Sequence, residues 1–332
     1  MTAKFNIAGI GNALVDVIAH ADDRFLGDNG LTKGAMRLIE TDEAEDLYGR
    51  MGPGIEMSGG SCANTMAGAA MLGSACAFFG KVCDDQLGRV FRHDIRAMGV
   101  TFESAPLHQE PPTGRSLILV TPDAQRTMNT FLGAANELTP DDIDPAIVEA
   151  AEIVYMEGYL WDRPTAKEAF LKAARIAHAA GRKVSLTLSD SFCVERHRDS
   201  FRDLIDGHVD VLFGNETEIM ELYRVSTLED AIAAVRGACA ITVITRSEKG
   251  SIVLEGATTH EASAERLGRV VDTTGAGDLY AAGFLHGLTA GRTLPDCARI
   301  GSIAAAEVIS HVGARPEADL KALVARRMTS VA

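Results

Sequence analysis

Residues Asp272–Phe284 read DTTGAGDLYAAGF, a run of small residues that passes into an apolar helix with one carboxylate at the join. Thr273, Thr274, Gly275, Ala276 and Gly277 can bring several backbone N–H groups together at a helix N-terminus. Such a cradle, aided by the helix dipole, stabilises an anion, including charge developing on a phosphoryl group in transfer. Asp278 falls in the first turn beside that cradle. A carboxylate there can simply complement the helix dipole. Next to an anion site it can also accept the proton of an attacking hydroxyl.

Two further stretches offer groups suited to a hydroxylated ligand. MSGGSCANTMAGAAMLG, Met57–Gly73, places Gly59 and Gly60 at a strand end and Asn64 in the first turn of the following helix. Paired glycines permit close backbone approach, and an asparagine offers both a donor and an acceptor. The alternative for this stretch is a plain turn with a capped helix. ALVDVIA, Ala13–Ala19, buries Asp16 in an apolar run, where a carboxylate needs a partner, and Asn12 lies just before it. GIGNAL, Gly9–Leu14, lacks the third glycine of a dinucleotide fingerprint and reads as a tight turn after the first strand. No GxxxxGK[ST] occurs, which excludes a P-loop nucleotidase.

The elements that must position these groups alternate. Phe5–Gly11, Cys76–Gly80, Ile153–Met156, Val184–Leu188, Val211–Phe213 and Ile241–Thr245 read as strands. Between them, Ser61–Gly73, Leu87–Met98, Ala166–Ala180, Glu216–Tyr223 and Glu229–Gly237 read as helices. This rhythm predicts an α/β fold, a mostly parallel sheet covered on both faces. Short strand-like runs at Val15–Ala19, Ala35–Ile39, Ile55–Ser58, Val100–Ala105, Arg115–Thr121 and Thr127–Leu132 interrupt it twice, at roughly 14–58 and 100–130. These two excursions predict one small flap over the strand ends. Ser251–Glu255 and Arg266–Val271 read as a strand pair ahead of the anion motif.

Bulk properties narrow the function classes. With 332 residues and 46% hydrophobic composition the chain can bury a large core. A net charge of −14 argues against a nucleic-acid partner. No run of apolar residues is long enough to span a membrane, and the N-terminus shows no leader pattern. Cys62, Cys76, Cys83, Cys193, Cys239 and Cys297 form no metal-like spacing and read as reduced thiols, so a cytoplasmic protein is expected.

GGSCANTMAGAAMLG followed by FFGKVCDDQLGRVFRHDIRAMGV, together with DTTGAGDLYAAGF, resembles the two signatures of the ribokinase-like (PfkB) carbohydrate kinases. GAANELTPDDI, FGNETEIMEL and TRSEKG stand where that family has comparable segments. GNALVD, RTMNTFLGAAN and FGNETE are most similar to its adenosine kinase branch. The resemblance implies a single domain over 1–332, a three-layer α/β/α core with a small β-rich lid, and an ATP- and Mg²⁺-dependent kinase. It implies Asp278 as general base and Gly275, Ala276 and Gly277 as the anion hole. Asn215 and Glu218 would organise Mg²⁺ and its waters around the ATP phosphates. Thr245, Ser247 and Gly250 match the nucleotide-side turn, with Ser247 standing where the family has glycine. Asp16, Gly59, Gly60 and Asn64, with Asn12 nearby, would grip sugar hydroxyls. Arg126 would approach the transferred phosphate when the lid closes. Asp272, Thr274 and Gly313 fall where many members hold an activating monovalent cation such as K⁺.

The choice of acceptor rests on whether a flat apolar base accompanies the sugar. Leu14 and Leu132 match positions that wall a nucleobase, Tyr159 could stack on it, and Met36 and Met128 add apolar surface. These favour adenosine, phosphorylated at its 5′-hydroxyl, over a free sugar such as ribose or fructose. The same five residues could also be ordinary lid or core positions. A non-catalytic relative would be expected to lose Asp278 or its glycines, which are present. Monomer and homodimer are both compatible with exposed lid edges.

Overall fold

The computed structural model describes residues 3–123 and 125–329. Ala124, within the expected lid segment 100–130, and the chain ends of the expected 1–332 domain lie outside the described residues. The strands in chain order are β1 (Phe5–Ile10), β2 (Leu14–His20), β3 (Met36–Leu38), β4 (Gly54–Gly59), β5 (Cys76–Phe79), β6 (Val100–Thr101) and β7 (Gly114–Val120). They continue as β8 (Arg126–Phe131), β9 (Ala151–Glu157), β10 (Lys183–Thr187), β11 (Val211–Asn215), β12 (Ile241–Thr245), β13 (Ser251–Glu255) and β14 (Thr258–Ala262).

Nine strands make one sheet in the order β14-β13-β12-β11-β10-β9-β1-β5-β6. Every pairing from β12 to β6 is parallel, and β13 and β14 add antiparallel strands at one edge. The strands are apolar on both faces because helices cover both. Ile153 and Tyr155 join a core with helices Ser61–Leu72, Ala276–Thr289 and Leu294–Val308. Val154 and Met156, alternating with them in sequence, join a second core with helices Pro164–Ala179 and Ser191–His208. The expected α/β class with a mostly parallel sheet is the observed one.

The remaining strands form a separate sheet in the order β3-β8-β7-β2-β4. One face of it, with Val15, Val17, Leu117 and Leu119, merges with the first core under Leu26, Leu31, Leu47 and Phe91. The opposite face, which carries Ile118, joins neither core. In this excursion the chain also forms helices Asp23–Asp28 and Thr41–Arg50, which the sequence reading did not anticipate.

Two expectations need correction. Ser251–Glu255 does not pair with Arg266–Val271: Gly256 stands at φ 54, and the chain returns at once as Thr258–Ala262. A two-residue turn with a left-handed glycine matches the strand twist and closes the hairpin locally. Arg266–Val271 is irregular, with Val270 55% exposed. Val100–Thr101 pairs with Cys76–Ala77, so it belongs to the large sheet, and the five-stranded sheet resumes later, at β7. All six cysteines are unbridged.

Candidate active site

Two helix N-termini face each other at the site. Helix Ser61–Leu72 follows Gly60, whose φ of 95 suits only glycine, and a Cβ there would lie 2.2 Å from Asn12 O. Helix Ala276–Thr289 follows Gly275, a left-handed residue at φ 78 that offers no side-chain cap. The helices approach closely at Gly68, where a Cβ would fall 2.4 Å from Leu279 Cδ1 and 3.1 Å from Ala282 Cβ. That contact sets the distance between the two first turns.

Across this gap Asp278 accepts two hydrogen bonds. Ser61 Oγ donates to Oδ1 at 2.6 Å and Asn64 Nδ2 donates to Oδ2 at 2.9 Å. Burial pushes the Asp278 carboxyl up, opposed by the Ser61 and Asn64 hydrogen bonds and the nearby charge of Arg315. At the helix start, Ala276 N–H turns back to Thr273 O at 3.3 Å. The N–H groups of Gly277 and Asp278 have no acceptor within the helix by geometry, and Gly277 is exposed with open space at its Cα. Such a terminus can take an anion beside the carboxylate.

The structure brings together the residues expected to grip sugar hydroxyls. Asn12 is 2% exposed and Asn64 5%. Asn12 Nδ2 donates to Glu157 Oε1 at 2.7 Å, and Glu157 Oε2 accepts Cys62 N–H at 2.8 Å. Both asparagines turn their NH₂ groups toward carboxyl oxygens, of Glu157 and Asp278. This leaves Asn12 Oδ1 and Asn64 Oδ1 buried and without hydrogen-bond partners. The Asp16 carboxylate lies against Gly59, where a Cβ would meet it at 2.4 Å. Burial raises Asp16 to about 6 against the charges of Arg315 and Arg126.

Register on the lid sheet places the rest. Asp16 pairs with Ser116, and Ser116 with Thr130, whose hydroxyls lie 3.0 Å apart. Residues opposite one another in neighbouring strands share a face. The next row on that face is Ile18, Ile118, Met128 and Met36. Ile118 is 1% exposed yet belongs to neither core. At Gly114 the missing side chain admits Leu14 Cδ2 and Leu132 O, which a Cβ would meet at 2.5 and 2.3 Å. Met36 is 47% exposed, at the outer end of the row. Tyr159 lies instead at the end of β9: its N–H donates to Ser189 Oγ at 3.1 Å and its hydroxyl to Ser189 O at 3.3 Å. Asp190, Asp278, Glu218 and Glu157 all act on its ring hydroxyl electrostatically.

Asn215 and Glu218, expected on the nucleotide side, form a reciprocal cap. Asn215 Oδ1 accepts Glu218 N–H at 2.9 Å, while its N–H and Nδ2 donate to Glu218 Oε2 and Oε1 at 3.0 and 2.6 Å. Burial raises Glu218 to about 7. Each carboxylate oxygen keeps a lone pair that can accept from a water of a hydrated ion, the mode Mg²⁺ prefers. Among the described residues no group of three His, Cys, Asp or Glu could hold a metal directly. Thr245 ends β12 beside Asn215. Ser247 stands at φ 51, so it keeps the left-handed backbone that glycine adopts most readily, and Gly250 follows at φ 87.

Arg126 is not a solvated turn residue. Its side chain is 8% exposed, with Nη2 2.6 Å from Asp272 Oδ2 and Nη1 donating to Thr274 Oγ1 at 3.2 Å. Asp272 also accepts Thr274 N–H at 3.0 Å and Gly313 N–H at 2.9 Å. Asp272, Thr274 and Gly313 therefore do meet, but a fixed positive charge already sits on the carboxylate. As arranged, the set does not fit a monovalent cation.

Sequence reasoning missed Ser61, Glu157, Arg315, Ser116, Thr130 and Ile118. Glu157 carried the same signal as Asp16, a carboxylate within an apolar run, IVYMEGY.

The model of the pfkB family carbohydrate kinases matches residues 35–320. A solved structure of adenosine kinase from Sinorhizobium meliloti is 51% identical, covers 99% of this chain and 100% of its own, and superposes with TM-score 0.92. A probable sugar kinase from Rhizobium etli is 49% identical over 98% of this chain and 99% of its own, with TM-score 0.93. A 5-dehydro-2-deoxygluconokinase of Shouchella clausii is 31% identical over 76% of this chain and 80% of its own length. The chain belongs to the pfkB family of carbohydrate kinases, phosphotransferases that act on a hydroxyl group.

Proposed function

We propose that the protein transfers the γ-phosphate of ATP to the 5′-hydroxyl of adenosine. The observation that carries the reading is the pair of buried, unpartnered acceptors, Asn12 Oδ1 and Asn64 Oδ1, beside the Asp16 carboxylate. Three acceptors in one place call for a ligand rich in hydroxyl donors. An orphaned buried acceptor costs about 1–3 kcal/mol, which a substrate hydroxyl recovers on binding. The apolar row of Ile18, Ile118 and Met128 with Leu14 supplies a surface for a flat base beyond the sugar. The strong likeness to the adenosine kinase from Sinorhizobium meliloti supports the same acceptor.

In this reading Asp278 accepts the hydroxyl proton as the oxygen attacks in line. Ser61 and Asn64 aim the carboxylate, one hydrogen bond to each oxygen. Burial raises its pKa from the ordinary value, which makes the carboxylate a stronger base. The helix N-terminus at Gly275, Ala276 and Gly277 takes the phosphoryl charge. Arg126, held by Asp272, reaches the phosphate as the lid closes and water is excluded. Mg²⁺, when bound with ATP, neutralises the phosphate oxygens, and Glu218 with Asn215 would hold its waters.

A second reading, a free sugar or sugar acid as acceptor, is favoured by the likeness to the 5-dehydro-2-deoxygluconokinase and the probable sugar kinase. The two are separated by ATP consumption with adenosine, other nucleosides, ribose, fructose and a keto-deoxy sugar acid. Activity confined to the sugars would reverse the choice.

A further inference from the structure

The loop after helix Leu294–Val308 contains His311-Val312-Gly313-Ala314-Arg315, and three consecutive residues of it touch three parts of the site. Gly313 N–H donates to Asp272 Oδ2 at 2.9 Å. Ala314 packs on the anion turn: a Cβ on Gly275 would lie 2.9 Å from Ala314 Cβ. Arg315 crosses to the acceptor side. Its Nε and Nη2 donate to Ser58 O at 3.1 and 3.0 Å, Nη2 also reaches Ser58 Oγ at 3.1 Å, and Nη1 donates to Ala63 O at 2.7 Å. Ser58 N–H donates in turn to Asp94 Oδ2 at 3.1 Å. The residue preceding Gly59 is thus gripped on both sides of the strand end.

Arg315 is 5% exposed, and among the described residues none of its hydrogen bonds reaches a carboxylate. A buried guanidinium without an ion pair is costly unless nearby anions offset it. Those anions are Asp16, Asp278 and Asp94. A loop tie alone would need donors but no charge.

We propose that Arg315 is a positioning residue for phosphoryl transfer: its guanidinium fixes the glycine turn that holds the acceptor against the helix bearing Ser61 and Asn64, and its buried charge serves Asp16 and Asp278 together. The inference rests on Asp278 being the base and Asp16 gripping the acceptor. The cations acting on Asp16 are Arg315 and Arg126, and the one acting on Asp278 is Arg315. Arg126 is already paired with Asp272. The other titratable groups facing Asp278 are Asp16, Glu157, Tyr155, Tyr159 and Cys62, none of them cationic. Arg315 is therefore the charge whose loss the base should feel most.

The test measures kcat and KM across pH for wild type, Arg315→Lys and Arg315→Gln, with Asp278→Asn in parallel and thermal melting to confirm folding. Without the charge, the Gln variant should have its acid limb of kcat/KM raised by about half to one pH unit, giving a loss about three- to tenfold greater below the limb than on the plateau. The Lys variant keeps the charge but not the four contacts, so it should keep the wild-type limb and show a several-fold higher KM for the acceptor. An unmoved limb in the Gln variant overturns the proposal. If that variant does not fold, the Lys variant decides, and an unchanged acceptor KM overturns it. Near wild-type turnover in Asp278→Asn would overturn the base assignment instead.

Discussion

Asn64 and Asp278, 214 residues apart in sequence, meet side chain to side chain at 2.9 Å across two helix N-termini. The amide nitrogen aims the carboxylate, and the same commitment leaves the amide oxygen buried and open to a ligand. On the proposed reading, base and acceptor site are thereby built from one pair. Asp278→Asn should fold, since Ser61 and Asn64 remain to pair with it, yet lose about 100- to 10,000-fold in kcat through loss of the general base. Steady-state kinetics of the folded variant checks this, and a kcat near wild type would remove Asp278 from the chemistry.

Glu157→Gln should disturb the acceptor site without touching the base. Cys62 N–H and Asn12 NH₂ both need acceptors from residue 157, at 2.8 and 2.7 Å, and a glutamine offers only one oxygen. Asn12 must then rotate and present NH₂ to the substrate where Oδ1 stood. Acceptor KM should rise about tenfold, the worth of one buried hydrogen bond, with kcat changed less. Equal falls in kcat and kcat/KM would contradict it.

Stability should carry the signature of the same residue. Burial raises Glu157 from its ordinary 4.5 to about 7, so the folded state holds a proton that the unfolded state releases. A raised carboxylate stabilises the fold below its unfolded pKa, and that contribution is lost as pH rises through about 7. Glu218, also raised to about 7, acts in the same direction. Melting temperature should therefore fall for the wild type between mildly acidic and mildly alkaline pH, and fall less for Glu157→Gln. Matching slopes for the two proteins would show that Glu157 is not among the groups responsible.

Arg126→Ala should lower kcat by about 100-fold, the scale of losing one donor to a developing anion, and raise acceptor KM less. Arg126 is held at Asp272 and Thr274. An effect confined to KM would make it a lid anchor only.

Ile118→Ser should separate nucleoside from sugar. The substitution puts a hydroxyl on the apolar row beyond Asp16 and removes buried methyl groups, lowering kcat/KM for adenosine about tenfold. Activity toward ribose, which does not reach that row, should hold. Equal losses on both substrates would show that Ile118 acts through lid stability.

Much of this was legible in the sequence because it is local. The strand–helix rhythm, the two glycine turns and the carboxylate following GAG each announce themselves within a dozen residues, and the structure brings Asp278, Asn64, Gly59, Gly60, Asn12 and Asp16 together. Ser61 was hidden by its ordinary role at a helix start. Arg315 sits in a loop with no periodicity, and its partners, Ser58 and Ala63, are backbone and hydroxyl groups that leave no mark on its own sequence. Ile118 reads like any strand residue, and only the register of β7 against β2 and β8 puts it on the face that carries Asp16. Arg266–Val271 failed as a strand because a Gly256 turn had already closed the hairpin.

The most direct measurement is phosphorus NMR of the products formed from ATP with adenosine, and separately with ribose, fructose and a keto-deoxy sugar acid, by wild type and Asp278→Asn. Adenosine should give a 5′-monophosphate together with ADP at the highest kcat/KM of the panel, and the variant should give none on the same timescale. A sugar phosphate formed while adenosine is left untouched, or a variant as active as the wild type, would contradict it.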